Sequence, residues 1–217
     1  WSALAAKAAK DQHASVRREL AIALRHLSGE AVNQIWASLA MRHGGTDRWY
    51  LEALGIGADG NWDERFMAYA ALKPENSKGY ADIVWRARTE KALPALIELI
   101  GSTKSLAYFR ALDFMPGEQK SEAIIGLISG KFANDLTAQL EAIRHIKPAY
   151  IAAHPEAKAM LSTLLKQIDG KPYLELVDYY QLKEESSRVL GMILTKTESS
   201  KACQVLYNLP GGAELIR

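Results

Sequence analysis

Residues 11–27 read DQHASVRRELAIALRHL, and residues 47–61 read DRWYLEALGIGADGN. In the first stretch the apolar residues recur at steps of three and four, which places one apolar stripe along a helix. The second stretch starts the same type of helix one helix pair later, directly after Asp47. A helix pair that recurs in this way predicts an all-α fold in which helical hairpins stack as an α-solenoid.

The recurrence extends along the chain as a small residue followed by a large apolar one. It occurs at Ala23-Leu24, Ala53-Leu54, Ala111-Leu112 and Ala142-Ile143. The intervals between the alanines are 30, 58 and 31 residues, and we interpret the longest as two repeats with a degenerate member near 81–83. A small residue at this place would let successive helix pairs pack closely. The pattern predicts HEAT-like or armadillo-like repeats with a period of about 30 residues, shorter than the roughly 40–47 that is usual.

Helical signals are nearly continuous, and strands are not needed because no segment alternates with period two. Ser28 is predicted to cap the second helix, Asp47 the third and Asn61 the fourth, which Pro74 stops. Further helices are predicted at about 78–88, 90–101, 104–115, 117–130, 135–147, 155–168, 171–181, 185–196 and 199–208. We expect residues 1–217 to form a single array.

Two helix ends are near copies of each other, Arg25-His26-Leu27 and Arg144-His145-Ile146. Basic side chains in a last turn interact favourably with the carbonyl end of a helix. We therefore expect these residues to stabilise helix ends and to carry no chemistry.

The composition is that of an ordinary globular protein, with 48% hydrophobic and 24% charged residues. The net charge of +2 comes from 27 basic and 25 acidic residues that are well interleaved. A surface that tracks phosphates needs a clear basic excess on one face, so we expect no nucleic-acid partner. The apolar runs are too short to cross a bilayer, so we expect no membrane insertion by this segment.

The chain begins at Trp1 and ends, at residues 215–217, within a predicted helix. We interpret it as a piece of a longer multidomain protein. Cys203 is the single cysteine, so an intrachain disulfide is excluded. That count fits a cytosolic protein and equally an exported one with a sufficient core.

Residues 55–60, GIGADG, match the dinucleotide-binding pattern G-x-G-x-x-G. That site requires a preceding buried strand, whereas an amphipathic helix precedes it here. We interpret the glycines as a helix stop and tight turn. Residues 59–63, DGNWD, space three oxygen ligands like the start of a calcium loop, but Glu64 and Ala70 stand where that loop needs Gly and Glu. Capping by Asn61 accounts for this polar cluster, and we predict no metal site.

The best candidate for a binding site is a charged and aromatic cluster at the start of the third helix. It comprises Asp47, Arg48, Trp49 and Tyr50, with Trp62 nearby in sequence. Arginine and aromatic residues dominate binding hot spots, and turns between solenoid helices line up along one edge. The alternative is that Trp49 or Tyr50 packs into the core while Arg48 pairs with an acid.

No complete catalytic apparatus is evident, and we predict no catalytic residue and no cofactor. The five histidines show no zinc-ligand spacing, and no serine lies in a G-x-S-x-G string. Cys203 is predicted to be a small buried hydrophobic residue on a face shared with Leu206 and Tyr207. Tyr179-Tyr180 and the group Trp85, Arg86 and Arg88 are each predicted to be half core and half surface.

The motifs VRRELAIALRHL and DRWYLEALGIGADGNWDERF, within residues 16–72, resemble the HEAT-like segment of large exported membrane-bound dehydrogenases. That family joins a sugar-dehydrogenase-like β-propeller, a HEAT-like helical region and a c-type haem domain. The resemblance implies a periplasmic or extracytoplasmic location. It also implies that any dehydrogenase activity belongs to other domains, since this chain has neither propeller strands nor C-x-x-C-H.

Two functional hypotheses follow. The first is a non-catalytic scaffold that contacts neighbouring domains of the parent chain or a partner protein. The second is a HEAT-like DNA-binding enzyme of the alkylpurine DNA glycosylase type, with Trp85, Arg86 and Arg88 in a DNA groove; the near-neutral charge argues against it. A small-ligand acceptor of the bilin-lyase type has no distinctive residue signal.

Overall fold

The computed structural model describes residues 1–75, 77–117 and 119–215. Within these ranges the protein is entirely helical, without strands, so the all-α prediction is confirmed. Four short 3-10 helices lie at Glu90–Ala92, Leu112–Phe114, Lys183–Glu185 and Gly212–Leu215. The α-helices are α1 (Ser2–Ala8), α2 (Ala14–Ala23), α3 (Glu30–Ala40), α4 (Arg48–Ala58), α5 (Trp62–Ala71), α6 (Lys78–Arg86), α7 (Leu93–Thr103), α8 (Leu106–Ala111), α9 (Gln119–Ser129), α10 (Leu136–Ile143), α11 (Pro148–Ala153), α12 (Pro155–Leu165), α13 (Gly170–Tyr180), α14 (Ser186–Leu194) and α15 (Ser199–Asn208).

The chain divides into two compact units, Trp1–Lys120 and Ser121–Arg217. In the first unit several helices pack on the next but one: α1 on α3, α2 on α4, α3 on α5, α4 on α6, and α6 on α8. In the second unit α10 packs on α12, α11 on α13 and α13 on α15. Alternate helices therefore form neighbouring layers within each unit. No helix in the described part of the chain is long and apolar enough to cross a membrane.

The repeated pair of small and large residues is mostly buried. The large member is fully buried at all four places, Leu24, Leu54, Leu112 and Ile143. The small member is buried at Ala53, Ala111 and Ala142, and in the degenerate member Ala81 and Ile83 are buried as well.

Ala23 differs from the other repeated alanines. It is the last residue of α2 and is exposed, so the prediction that it lets helices pack closely is wrong. The close approach falls two residues earlier, where a Cβ on Gly57 would lie 2.1 Å from the carbonyl oxygen of Ala21.

Three side chains close the carbonyl ends of helices. Arg65 and Arg188 each donate hydrogen bonds, 2.7–2.8 Å long, to two backbone carbonyls three residues apart, which we call a carbonyl pair. Tyr180 has one hydroxyl proton, and its oxygen lies 2.5 and 3.0 Å from the two carbonyls of a third pair, so it donates to one of them at a time. The first carbonyl of each pair also accepts from the backbone N–H three residues later, and the side-chain donor adds to that bond. The donors and pairs are Arg65 with Leu24 and Leu27, Tyr180 with Ile143 and Ile146, and Arg188 with Leu165 and Ile168.

The two near-identical helix ends use their arginines differently from the prediction. Arg25 donates to the Asp59 carboxylate at 2.6 Å, and Arg144 donates to Glu175 at 3.0 Å. Both arginines lie beyond the last helical residue. Their closest partners are carboxylates from a later helix or turn.

Some helix boundaries differ from the predictions. The N-cap of α3 is Gly29, so the prediction of Ser28 as the cap is wrong. Gly29 has a φ of 105°, a conformation that glycine adopts more readily than a residue with a side chain. The short helices α1 and α11 were not predicted, and α11 begins at Pro148 because proline suits a first helical position. The predicted helical positions 118, 216 and 217 lie outside the described residues.

Candidate functional site

The predicted site begins at the N-terminus of α4. As predicted, Asp47 is the N-cap, and its carboxylate accepts a hydrogen bond from the backbone N–H of Tyr50 at 3.0 Å. The next two side chains face solvent, and Trp49 is 74% exposed. Arg48 approaches Glu52 one turn later, with 3.9 Å between the guanidinium Nε and the carboxylate. The segment therefore presents a cation and a large aromatic ring side by side.

Tyr50 is part of the core, where it is 2% exposed. Its hydroxyl donates to the carbonyl of Leu39 at 2.9 Å, and its ring stacks on His43 with 6.0 Å between centroids. Burial raises the pKa of this hydroxyl. Tyr50 therefore holds α4 against the end of α3, as the core alternative proposed.

Trp62 is also a core residue, 8% exposed. Its ring contacts Trp36 edge-on, with 5.8 Å between centroids. The five predicted residues are thus not brought together on one surface: one caps, two are buried, and Arg48 and Trp49 face solvent. The sequence held a signal for this burial, because Trp62, Phe66 and Tyr69 recur at helical steps.

A cleft of about 320 Å³ lies beside Arg48 in the first unit. It is formed by the N-terminal turns of α4, α6 and α8 and the loops that precede α4 and α8, and we call it the α4–α6–α8 cleft. Its charged and aromatic lining comprises Arg48, Glu52, Lys78, Asp82, Trp85 and Tyr108. Of the charged residues, only Arg48 was recognisable from the sequence as a candidate, because the others come from helices about 30 residues apart or lie outside the cluster at residues 47–50.

Glu52 and Asp82 each have two basic neighbours. Glu52 accepts from the Nε of Arg86 at 3.2 Å, closer than its contact with Arg48. Asp82 lies 2.9 Å from the Nε2 of His43 and 4.0 Å from the ammonium of Lys78. The carboxylates are therefore held from the protein side, and the looser cations lie towards solvent.

The aromatic lining of the cleft comes from α6 and α8. The indole N–H of Trp85 donates to the carbonyl of Ala107 at 3.0 Å, which joins the two helices. Burial raises the pKa of the Tyr108 hydroxyl. The cleft thus combines an apolar wall with a charged rim, an arrangement that suits binding.

The residues proposed for a DNA groove are engaged within the protein. Arg86 is ion-paired with Glu52. Arg88 donates to the carbonyls of Trp85 and Ala87, and its guanidinium lies 4.7 Å from the centre of the Phe114 ring. Burial lowers the pKa of Arg88. These arginines therefore brace the turn after α6.

The glycines of the G-x-G-x-x-G string serve helix packing. Gly55 and Gly57 lie inside α4, so the prediction that they stop the helix is wrong. A Cβ on Gly55 would lie 2.5 Å from the guanidinium carbon of Arg86, and Gly57 faces the backbone of α2. Only Gly60, with φ of 76°, forms the predicted turn.

The polar residues of the calcium-like string have protein partners. Asp59 binds Arg25 at 2.6 Å, and Asp63 accepts from the hydroxyl of Thr89 at 2.5 Å. Asn61 is the N-cap residue of α5, although its side chain makes no capping hydrogen bond. No group of three or more His, Cys, Asp or Glu placed to hold a metal occurs in the described ranges.

The remaining candidates are structural. Cys203 is half-buried and Tyr207 is exposed, so the prediction that both lie on a buried face is wrong; Ala202, Val205 and Leu206 form that face. The prediction for Tyr179-Tyr180 is confirmed, because Tyr179 is exposed and Tyr180 is buried.

Comparison with known proteins found no matching family model, no matching curated protein and no matching solved structure. The fold and the site define an all-helical protein with an open cleft of mixed charge. Function is therefore argued from the cleft and from the exposed residues beside it.

Proposed function

We propose that this chain is a non-catalytic helical-repeat scaffold that docks a neighbouring domain or a partner protein. The observation that carries the proposal is the exposed side chain of Trp49, which is next in sequence to Arg48, a residue that lines the α4–α6–α8 cleft. A binding surface of this composition needs no catalytic group. Its affinity comes from burying the aromatic ring and satisfying the cation.

The repeat architecture in this proposal is an α-solenoid of HEAT-like units with a period of about 30 residues. Packing of alternate helices within each unit supports it. The buried residues at four repeat positions support it as well. Stacked hairpins of this kind leave helix N-termini and turns along an edge, which is where the cleft lies.

Exposure of Trp49 is the strongest sign of a docking surface. Tryptophan is rarely left in water, because burying a large aromatic ring is favourable. Arg48 is adjacent, and together they have the composition of a hot spot. Since Asp47 caps α4 and Tyr50 is buried, the pair is held on a fixed helix end and loses little freedom on binding.

The parent protein, in this proposal, is an exported membrane-bound dehydrogenase of the kind that the sequence resembles. Its oxidation chemistry and haem would belong to other domains, and this segment would hold no cofactor. The location would be periplasmic or extracytoplasmic. The docked neighbour would be the propeller domain, the haem domain or a separate protein.

The DNA glycosylase alternative is not advanced. Arg86 and Arg88 are engaged internally, and the cleft pairs its cations with Glu52 and Asp82. A groove that follows phosphates requires an uncompensated basic face. A gel shift with duplex DNA at low salt checks this, and a retained complex would contradict the scaffold proposal.

Photo-crosslinking tests the docking surface directly. In the product of the whole open reading frame, p-benzoylphenylalanine replaces Trp49, and crosslinked peptides are mapped by mass spectrometry. We expect crosslinks to one defined segment of another domain or of a co-purified protein. Tyr207, an aromatic residue of similar exposure on α15, is the control position. If positions 49 and 207 give the same scattered products, the docking proposal fails.

A further inference from the structure

The α4–α6–α8 cleft carries two exposed cations that are only loosely paired with its carboxylates. Glu52 is paired at 3.2 Å with Arg86, whose side chain is only 19% exposed, and Arg48 is a second, looser neighbour at 3.9 Å. An ion pair near 4 Å on an exposed side chain contributes little free energy. Arg48 can therefore turn to another anion at small cost.

Lys78 stands in the same relation to Asp82. His43, whose side chain is 1% exposed, lies 2.9 Å from the Asp82 carboxylate, while the Lys78 ammonium lies at 4.0 Å and is 72% exposed. Lys78 also donates to the carbonyl of Gly45, which leaves two of its three N–H bonds for a further acceptor. It is the first residue of α6, where the helix dipole adds partial positive charge.

The wall between these two cations is apolar. Leu51, Trp85 and Ala107 line it, and the indole N–H of Trp85 is already satisfied by Ala107. The volume of about 320 Å³ is near the lower limit of ligand pockets and suits one or two side chains. An occupant that matches this lining has a negative charge next to an apolar group.

We propose that the α4–α6–α8 cleft binds an acidic side chain, with an apolar neighbour, on a peptide segment of the docked protein. Arg48 and Lys78 would donate to its carboxylate, and the apolar neighbour would pack on the Trp85 wall. This inference rests on the proposed docking function and adds the chemistry of the partner. A cationic occupant is disfavoured because the cations of Arg48, Lys78 and Arg86 outnumber the carboxylates of Glu52 and Asp82.

Peptide titration tests the inference on the 217-residue chain. The probes are acetyl-Gly-Phe-Asp-Gly-amide, its Asn and Lys counterparts, and free 3-phenylpropionate. Binding is followed by nitrogen–proton correlation spectra at the indole N–H of Trp85, one of five tryptophans, which the Trp85→Phe variant assigns. We expect the Asp peptide to shift this signal and the Asn peptide to bind about tenfold more weakly, the size of one lost charge-assisted hydrogen bond.

The double variant Arg48→Gln with Lys78→Gln should bind the Asp peptide at least about tenfold more weakly and should no longer distinguish Asp from Asn. The control is Lys7→Gln with Lys10→Gln, which makes the same charge change at exposed positions outside the cleft. That control should bind as the parent chain does.

Three results would overturn the inference: equal affinity for the Asp and Asn peptides, tighter binding of the Lys peptide, or binding of 3-phenylpropionate as tight as that of the Asp peptide. The last would mean that the cleft accepts a free carboxylate and not a protein segment. Crosslinks from position 49 without a preference for Asp would leave the docking function standing and refute only the acidic partner. Selective Asp binding without such crosslinks would refute the docking function instead.

Discussion

Helices α4 and α10 are built on one plan and differ in what they show to solvent. Each follows an aspartate whose carboxylate accepts a hydrogen bond at 3.0 Å from the backbone N–H three residues later, at Tyr50 and Ala138. Each also buries an alanine and the large apolar residue after it. What the two helices share is a capped start and a buried pair of small and large residues.

The difference lies in the residues next to that framework. After its cap α4 presents Arg48 and Trp49, where α10 has Leu136 and Thr137. Four residues after the repeated alanine, α4 has Gly57, which lets the backbone of α2 approach, whereas the equivalent Ile146 fills space with its own side chain. The exposed side chains of Arg48 and Trp49 at α4 are therefore additional to what folding needs.

The largest effect is expected when the close packing of α4 on α2 is broken. Gly57→Ala places a Cβ 2.1 Å from a backbone oxygen of α2, so the helices must separate, and we expect a loss of about 3 kcal/mol in the free energy of unfolding. All five tryptophans lie in the first unit, so urea unfolding followed by tryptophan fluorescence measures it.

The control for that variant is Gly126→Ala in α9, where the added Cβ meets nothing within 4 Å. There alanine should stabilise by about 0.5–1 kcal/mol, because glycine is disfavoured inside a helix. Circular dichroism follows this second unit. Equal effects at both glycines would show that α2 and α4 do not approach closely.

The next largest losses in the free energy of unfolding are expected when the donors of two carbonyl pairs, Arg65 and Tyr180, are replaced. Arg65→Met removes both hydrogen bonds, which leaves the carbonyl of Leu27 without this donor and that of Leu24 with only its backbone partner, and we expect a loss of about 2–3 kcal/mol. Tyr180→Phe, in α13, removes the neutral donor to the carbonyls at the end of α10 and should cost about 1–1.5 kcal/mol. Urea unfolding measures both, by fluorescence and by circular dichroism respectively. A larger loss for Tyr180→Phe would reverse the proposed order of the two donors.

A smaller loss is expected at the two N-cap aspartates, Asp47 and Asp135, and it tests whether these caps are equivalent. Asp47→Ala removes the hydrogen bond to the backbone N–H of Tyr50 and should cost about 1 kcal/mol. Asp135→Ala should cost at least as much, because it removes the same contact at α10. The Asn variants, which keep an acceptor, serve as controls in the same denaturation experiments. No loss in either alanine variant would mean that solvent replaces the cap.

The smallest effect on folding belongs to the exposed pair. Arg48→Ala combined with Trp49→Ala should change the free energy of unfolding by less than about 0.5 kcal/mol, since both side chains face solvent. Helicity by circular dichroism should be unchanged while association with the docked partner weakens. Loss of helicity would instead show that these residues belong to the core.

Much of the fold could be predicted because it depends on local signals. Apolar periodicity located most helices, and Asp47 was recognisable as a cap from its position alone. Burial of Trp62 was also accessible, since it shares a helical stripe with Phe66 and Tyr69. These features depend on residues close together in the chain.

The candidate site was less predictable because it depends on contacts between residues more than 30 positions apart in the chain. Glu52 meets Arg86 only when α4 packs on α6, and Asp82 meets His43 in the same way. Gly55 and Gly57 were misassigned as a helix stop because the groups that need the space belong to α6 and α2. One sequence does not show which distant side chain will occupy the space beside a glycine.

The carbonyl pairs have a consequence for how helix ends diverge in sequence. Two are closed by arginines and one by a tyrosine, residues that share neither charge nor size. What these helix ends share is a backbone carbonyl that takes a side-chain donor, and any side chain long enough to donate there can fulfil that role. A comparison by residue identity will therefore overlook these positions. Aligning the helix ends by their carbonyls would match positions whose residues no longer agree.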